Sequence, residues 1–138
     1  MKKLGMLLAI VAELFGGQAL AQQLHIQRAQ LEEVFANIDA NTTWDMTGNM
    51  LWGHFFISHD KSELEKLGAE LVKNGYRLVE IRERDRDSPQ AAPQWQLHVE
   101  RVEPHTVDTL LARNSQFEGL ASRHENVVYD GWDVGPVL

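Results

Sequence analysis

A strict alternation of apolar and polar side chains runs through residues 94–100. Trp95, Leu97 and Val99 take every second position, and polar residues such as His98 stand between them. Because successive side chains of a β-strand point to opposite faces of a sheet, this period predicts a strand that is buried on one side only. The apolar side should pack against helices, and the other side should be more polar.

The remaining segments place this strand in a symmetrical order of elements. Helical spacing of apolar residues predicts helices, and apolar runs bounded by turn residues predict strands. In chain order the sequence predicts a helix over 27–39 and a strand over 50–58. A second helix opens with a capping box at 62–65 and ends at Asn74-Gly75. Strands over 76–84 and 94–100, a helix over 107–121 and a last strand over 127–132 follow. After the first helix this order predicts the ferredoxin-like split β-α-β fold of the α+β class, a four-stranded antiparallel sheet with two helices on one face. The extra N-terminal helix either covers the other face or extends to a partner.

Length, cysteine content and charge limit the number of domains and the kind of partner. The 138 residues suffice for one domain, which we place at residues 22–138. The chain has no cysteine, which excludes disulfides and thiolate metal sites. The formal net charge of −7 repels phosphate backbones, so direct nucleic-acid binding is not expected and the surface suits a basic protein partner.

The first 21 residues have the pattern of a secretory signal peptide. Met1-Lys2-Lys3 is a basic start, residues 6–12 are apolar, and Ala19-Leu20-Ala21 fits the small-residue cleavage pattern. The apolar run is too short for a permanent membrane anchor. Cleavage predicts a mature, periplasmic protein that begins at Gln22. The alternative is a cytoplasmic protein in which these residues form an N-terminal helix.

The run Tyr129-Asp130-Gly131-Trp132 closes the last predicted strand. An Asp-Gly pair normally closes a hairpin, but little chain follows here for a returning strand. We therefore expect a bulge or bend, with Gly131 in a backbone conformation that is costly for other residues. Asp130 should bond to nearby backbone N–H groups, and Trp132 should be buried on the sheet. The alternative is a binding site in which Asp130 and Trp132 contact a partner.

These segments together resemble the regulator of ribonuclease activity B family. The resemblance covers about residues 31–136 and is carried by the Leu31-Glu32-Glu33 helix start, by Ser58-His59-Asp60 after the first strand, by the Asn74-Gly75-Tyr76 turn and by the closing run Tyr129-Asp130-Gly131-Trp132. It implies a small acidic protein that binds the bacterial endoribonuclease E and restrains RNA cleavage, without catalysis of its own.

Other patterns in the sequence give weaker indications of chemistry. The six histidines do not have zinc-motif spacing, and we predict no metal and no cofactor. His54 and His98 fall on strands that are neighbours in the predicted fold, and their rings could face each other across the sheet. Asp130 and Asp133 are close in sequence, but no nucleophile accompanies them. We therefore predict that the protein is not an enzyme.

Glu100, Glu103, Asp130 and Trp132 are the candidate partner-binding residues. The strand alternation turns Glu100 away from the helices, and Glu103 follows just beyond it. Binding through such carboxylates should weaken with salt, since charge pairs are screened over about 10 Å at 0.1 M. The favoured partner is a protein, for example an endoribonuclease. The alternative is an exported domain of the same fold that binds an envelope protein or a small ligand.

Overall fold

The structure is a computed structural model that describes residues 27–138. The predicted signal peptide at 1–21 and its cleavage site lie outside the described residues. The described chain forms α1 (Arg28–Asn41), β1 (Met50–Ser58), α2 (Lys61–Lys73), β2 (Arg77–Glu83), β3 (Trp95–Glu103), α3 (Val107–Ser122) and β4 (Val127–Gly135). All seven predicted elements are therefore present, and β3 and β4 run further than predicted.

The four strands form one sheet in the order β2-β3-β1-β4, with every neighbouring pair antiparallel. This is the strand order of the ferredoxin-like split β-α-β fold, as predicted from the order of the elements. Helices α2 and α3 pack on one face of the sheet, where Leu64, Leu67, Leu110 and Phe117 join a single core. We call the opposite side the open face.

Strand β3 has one buried side and one open side, as its alternation predicted. Leu97 and Val99 are fully buried under the helices. Trp95 is only half-buried, and the ammonium group of Lys61 lies 4.7 Å from the centre of its ring. The core therefore lies between β3 and the helices, and it thins towards the start of the strand.

Helix α2 begins with a different cap from the predicted capping box at Ser62. Asp60 is the N-cap, and its carboxylate accepts hydrogen bonds from the backbone N–H of Ser62 at 3.0 Å and from its hydroxyl at 2.6 Å. Both residue types favour the N-cap position, so composition alone did not separate them. The predicted end of the helix is confirmed, since Asn74 caps it and Gly75 follows with a φ of +96°.

Helix α1 lies on the same side of the sheet as the other two helices. Leu31 and Ile38 are fully buried, and the ring of Phe35 stacks on Trp52 of β1 with centroids 6.2 Å apart. Both positions predicted for this helix are therefore wrong, because it neither covers the open face nor extends away. Trp52 explains the difference, since its ring lies in the core and supplies apolar surface for Phe35 to cover.

Strand β4 contains the predicted bulge. Phe55 pairs with Gly131 and Phe56 with Tyr129, which leaves Asp130 as the extra residue. Gly131 has a φ of +109°, a conformation that residues with a side chain rarely adopt. The predictions for the bend and for Gly131 are confirmed.

On the open face, the side chains of Asp133 and His98 lie so close to the backbone of residue 53 that only glycine fits there. A Cβ there would lie 2.3 Å from Oδ1 of Asp133 and 2.8 Å from Nε2 of His98. We expect Gly53→Ala to lower the free energy of unfolding by about 1–2 kcal/mol, within the usual range for overpacking, because both side chains must shift. Urea unfolding measures this change. Gly119→Ala is the control, since Gly119 is exposed in α3 with open space around it and alanine should raise helix stability by about 1 kcal/mol. Equal effects of the two substitutions would contradict the prediction.

Candidate functional site

Glu103, one of the predicted contacts, lies in a cluster of ion pairs at the end of β3. Its carboxylate accepts a hydrogen bond of 2.6 Å from Nη1 of Arg113 and lies 2.8 Å from Nε2 of His105. Arg101 is further away, with Nε 3.6 Å from Oε1 of Glu103. Burial opposes ionisation, but the hydrogen bonds from Arg113 and His105 hold the pKa of the Glu103 carboxyl below its usual value. Glu103 is therefore a counter-ion for its own chain.

Glu100 is also paired within the chain. It lies on β3 beside Gly53 of β1, and its carboxylate accepts a hydrogen bond of 2.6 Å from Nε of Arg77 on β2. Sequence reasoning missed both pairings, because Arg77 and Arg113 are 23 and 10 residues from the carboxylates that they bind. Only the register of the sheet and the packing of α3 bring these charges together.

Three exposed carboxylates lie on α1. Glu32, Glu33 and Asp39 are all exposed, and we call these three residues the acidic strip. Glu32 and Asp39 are about two helical turns apart and lie on the same side of the helix, beside Glu33. The basic residue at the start of this helix, Arg28, pairs with Asp108 of α3 at 2.5 Å. The acidic strip is therefore the part of α1 best placed to attract a basic partner.

Tyr129 holds the closing motif in the core through hydrogen bonds. Its buried hydroxyl donates to Oδ1 of Asn114 at 2.6 Å and lies 2.9 Å from Nδ1 of His54. Because the single hydroxyl proton goes to Asn114, His54 must donate from Nδ1 to the Tyr129 oxygen. Burial, aided by the charge of Arg113, holds the pKa of His54 well below its usual value, so the ring is neutral at pH 7. The motif is thus tied to both β1 and α3.

Asp130 and Trp132 are both buried, with 3% and 0% of their surface exposed. The burial predicted for Trp132 is confirmed, and its ring packs on Trp52 with centroids 5.7 Å apart. Oδ1 of Asp130 is buried without a hydrogen-bond partner, so the predicted bond to a backbone N–H is wrong for this atom. Burial raises the pKa of the Asp130 carboxyl to about 6, and the charge of Arg84 opposes this rise. A partner cannot reach either side chain in this conformation.

His54 and His98 do not face each other. His54 pairs with Val99, and His98 pairs with Phe55, so the two imidazoles point to opposite faces of the sheet. His98 stacks on Phe55 with ring centroids 4.3 Å apart on the open face, where burial lowers its pKa. The prediction that they could face each other is wrong, because their positions on the paired strands differ by one residue.

Between residues 27 and 138, no group of three or more His, Asp or Glu side chains is placed to hold a metal ion. In the same part of the chain, no helix is both long and apolar enough to cross a bilayer.

The fold is that of a small ferredoxin-like α+β domain with an added N-terminal helix. Residues 28–134 match the family model described as regulator of ribonuclease activity B. The chain belongs to this family, and the resemblance carried by the four short stretches is confirmed over residues 28–134. A search of curated proteins found no match.

Proposed function

We propose that this protein is a non-catalytic regulator that binds an endoribonuclease of the ribonuclease E type and restrains RNA cleavage by protein–protein contact. The family match over residues 28–134 carries the proposal, since the family is described by its effect on ribonuclease activity. The net charge of −7 supports contact with the enzyme rather than with its RNA, because a polyanionic substrate is repelled.

The acidic strip of α1 is the proposed contact surface. Glu100 and Glu103 were the sequence candidates, but arginines of the same chain already neutralise them. Glu32, Glu33 and Asp39 are exposed and lie on a helix that the core holds through Leu31 and Ile38. A rigid helix with exposed charges loses little conformational entropy when it binds a basic surface.

Neutralising the acidic strip should weaken binding to the ribonuclease. We expect the triple variant Glu32→Gln, Glu33→Gln, Asp39→Asn to lose about tenfold in affinity at low salt, since each exposed ion pair contributes a few tenths of a kcal/mol to 1 kcal/mol and 1.4 kcal/mol is tenfold. Its affinity should also depend less on salt than that of the wild type. Isothermal titration calorimetry at two salt concentrations measures both effects, and RNA cleavage with added protein measures the inhibition.

The matched control carries three neutralised charges elsewhere on the surface. Glu65→Gln, Asp85→Asn and Asp87→Asn remove exposed carboxylates from α2 and the β2–β3 loop, and this variant should bind within about twofold of the wild type. Equal weakening by both variants would show that the strip is not the contact surface. Absence of binding and inhibition by the wild type would instead refute the proposed function.

The signal-like N-terminus supports a second candidate, an exported domain of the same fold that binds an envelope protein or a small ligand in the periplasm. The basic start and Ala19-Leu20-Ala21 support it. N-terminal sequencing of the native protein tests it, since a first residue of Gln22 favours the periplasmic candidate and an intact Met1 favours the cytoplasmic regulator.

A further inference from the structure

A groove between α2 and α3 concentrates positive charge on this acidic protein. Its volume is about 380 Å³, and three arginines line it: Arg101 from β3, Arg113 from α3 and Arg123 from the end of α3. Glu70 is the one carboxylate in the lining. We call this cleft the arginine groove. Its positive excess is notable in a chain of net charge −7.

Arg113 is held in place by contacts with Glu103, Tyr76 and Phe117. It donates to Glu103 at 2.6 Å and to the hydroxyl of Tyr76, and 20% of its side chain is exposed. Its guanidinium carbon lies 5.8 Å and 6.0 Å from the ring centres of Tyr76 and Phe117. Glu103, which the sequence suggested as a contact, therefore holds in position an arginine that lines this groove.

Arg101 and Arg123 have weaker contacts within the chain. Nη1 of Arg101 lies 3.4 Å from the carbonyl oxygen of Asn74, and its Nε lies 3.6 Å from Oε1 of Glu103. Its guanidinium also lies 4.9 Å from the centre of the Tyr76 ring. Nη2 of Arg123 lies 3.9 Å from Glu70, and 66% of the Arg123 side chain is exposed. A guanidinium carries five N–H donors, so these long contacts leave donors of both side chains available to a ligand.

We propose that the arginine groove binds carboxylate groups of an acidic polypeptide segment. Arginine presents paired N–H donors that match a carboxylate, and Arg101 and Arg123 line the groove together with the fixed Arg113. Leu71, Phe117 and Leu120 also line the groove and give it an apolar floor for the stems of acidic side chains. The apolar part of the lining favours a peptide, whose acidic side chains have aliphatic stems, over a phosphate backbone.

A hexaglutamate peptide is the probe, titrated into the isotope-labelled full chain at millimolar concentrations and followed by NMR. Saturable shifts are expected at the backbone amides of Asn74, Gly75 and Gln116, which border the groove. Arg101→Gln and Arg123→Gln should each weaken binding about tenfold, the effect of losing one charge-assisted contact. Arg82→Gln is the matched control, since Arg82 is an exposed arginine on another part of the sheet, and it should change affinity less than about twofold.

Thermal melting of each variant first establishes that it is folded. Peptide-induced shifts elsewhere, no saturable shifts, or equal weakening by Arg82→Gln would overturn the proposal. Inorganic phosphate is titrated in parallel, and equal shifts with phosphate at the same concentration would overturn it by showing a general anion site.

Discussion

Replacing Trp132 with alanine should lower the free energy of unfolding by about 3–5 kcal/mol, the usual range for removing a large buried aromatic side chain. The ring is fully buried and packs against Trp52. Trp132 also pairs with His54 across the sheet, so the backbone around the vacated space is held by strand pairing and cannot collapse into it. Small domains have about 5–15 kcal/mol of stability in total, so this loss is a large part of it. Urea unfolding measures the change.

The control for Trp132 is a tryptophan on the same sheet with a less buried ring. Trp95 is half-buried beneath Lys61, so Trp95→Ala should cost clearly less stability. Partner affinity is measured on the same samples at a temperature where both variants are folded. A Trp132→Ala variant with unchanged melting and lost binding would show that the ring serves a partner and is not part of the core.

Local patterns in the sequence predicted most of the fold. The alternation through Leu97 and Val99 gave the buried side of β3, because period two is a direct consequence of strand geometry. Asn74-Gly75 gave the end of α2, because glycine adopts positive φ without strain. The position of α1 did not follow from its own residues, because it depends on the ring of Trp52 in another element.

The candidate site was less predictable, since it depends on contacts between distant residues. Glu100 was correctly placed on the open face, but its pairing with Arg77 requires the register of β2 against β3. The arginine groove is formed by β3, α2 and the middle and C-terminal parts of α3, and it has no signature in sequence spacing. A sequence pattern can place a charge on a face, whereas the three-dimensional fold decides whether that charge is already neutralised.

Asp130→Asn should stabilise the protein at neutral pH and have little effect at pH 4. Burial raises the pKa of this carboxyl from 3.8 to about 6, and its Oδ1 has no hydrogen-bond partner. The folded state therefore holds the proton more tightly than the unfolded state does. The stability that this proton confers is fully present below about pH 4 and is lost as the pH rises through about 6. Since one pKa unit corresponds to about 1.4 kcal/mol, a shift of about two units implies a deficit on the order of 3 kcal/mol at pH 7.5.

The difference in unfolding free energy between Asp130→Asn and the wild type isolates this contribution. In urea unfolding, this difference should be near zero at pH 4. It should grow in favour of the variant as the pH rises and level off above about pH 7, and measurements up to pH 8 show this. The exposed Asp39→Asn is the control and should give a small difference at every pH. A difference that is flat across this range, or a variant less stable at pH 7.5, would show that the Asp130 carboxylate has partners in solution. Arg84 is the first such partner to consider, because its charge lowers the pKa of Asp130. In that case Asp130→Asn should stabilise the Arg84→Gln variant more than it stabilises the wild type.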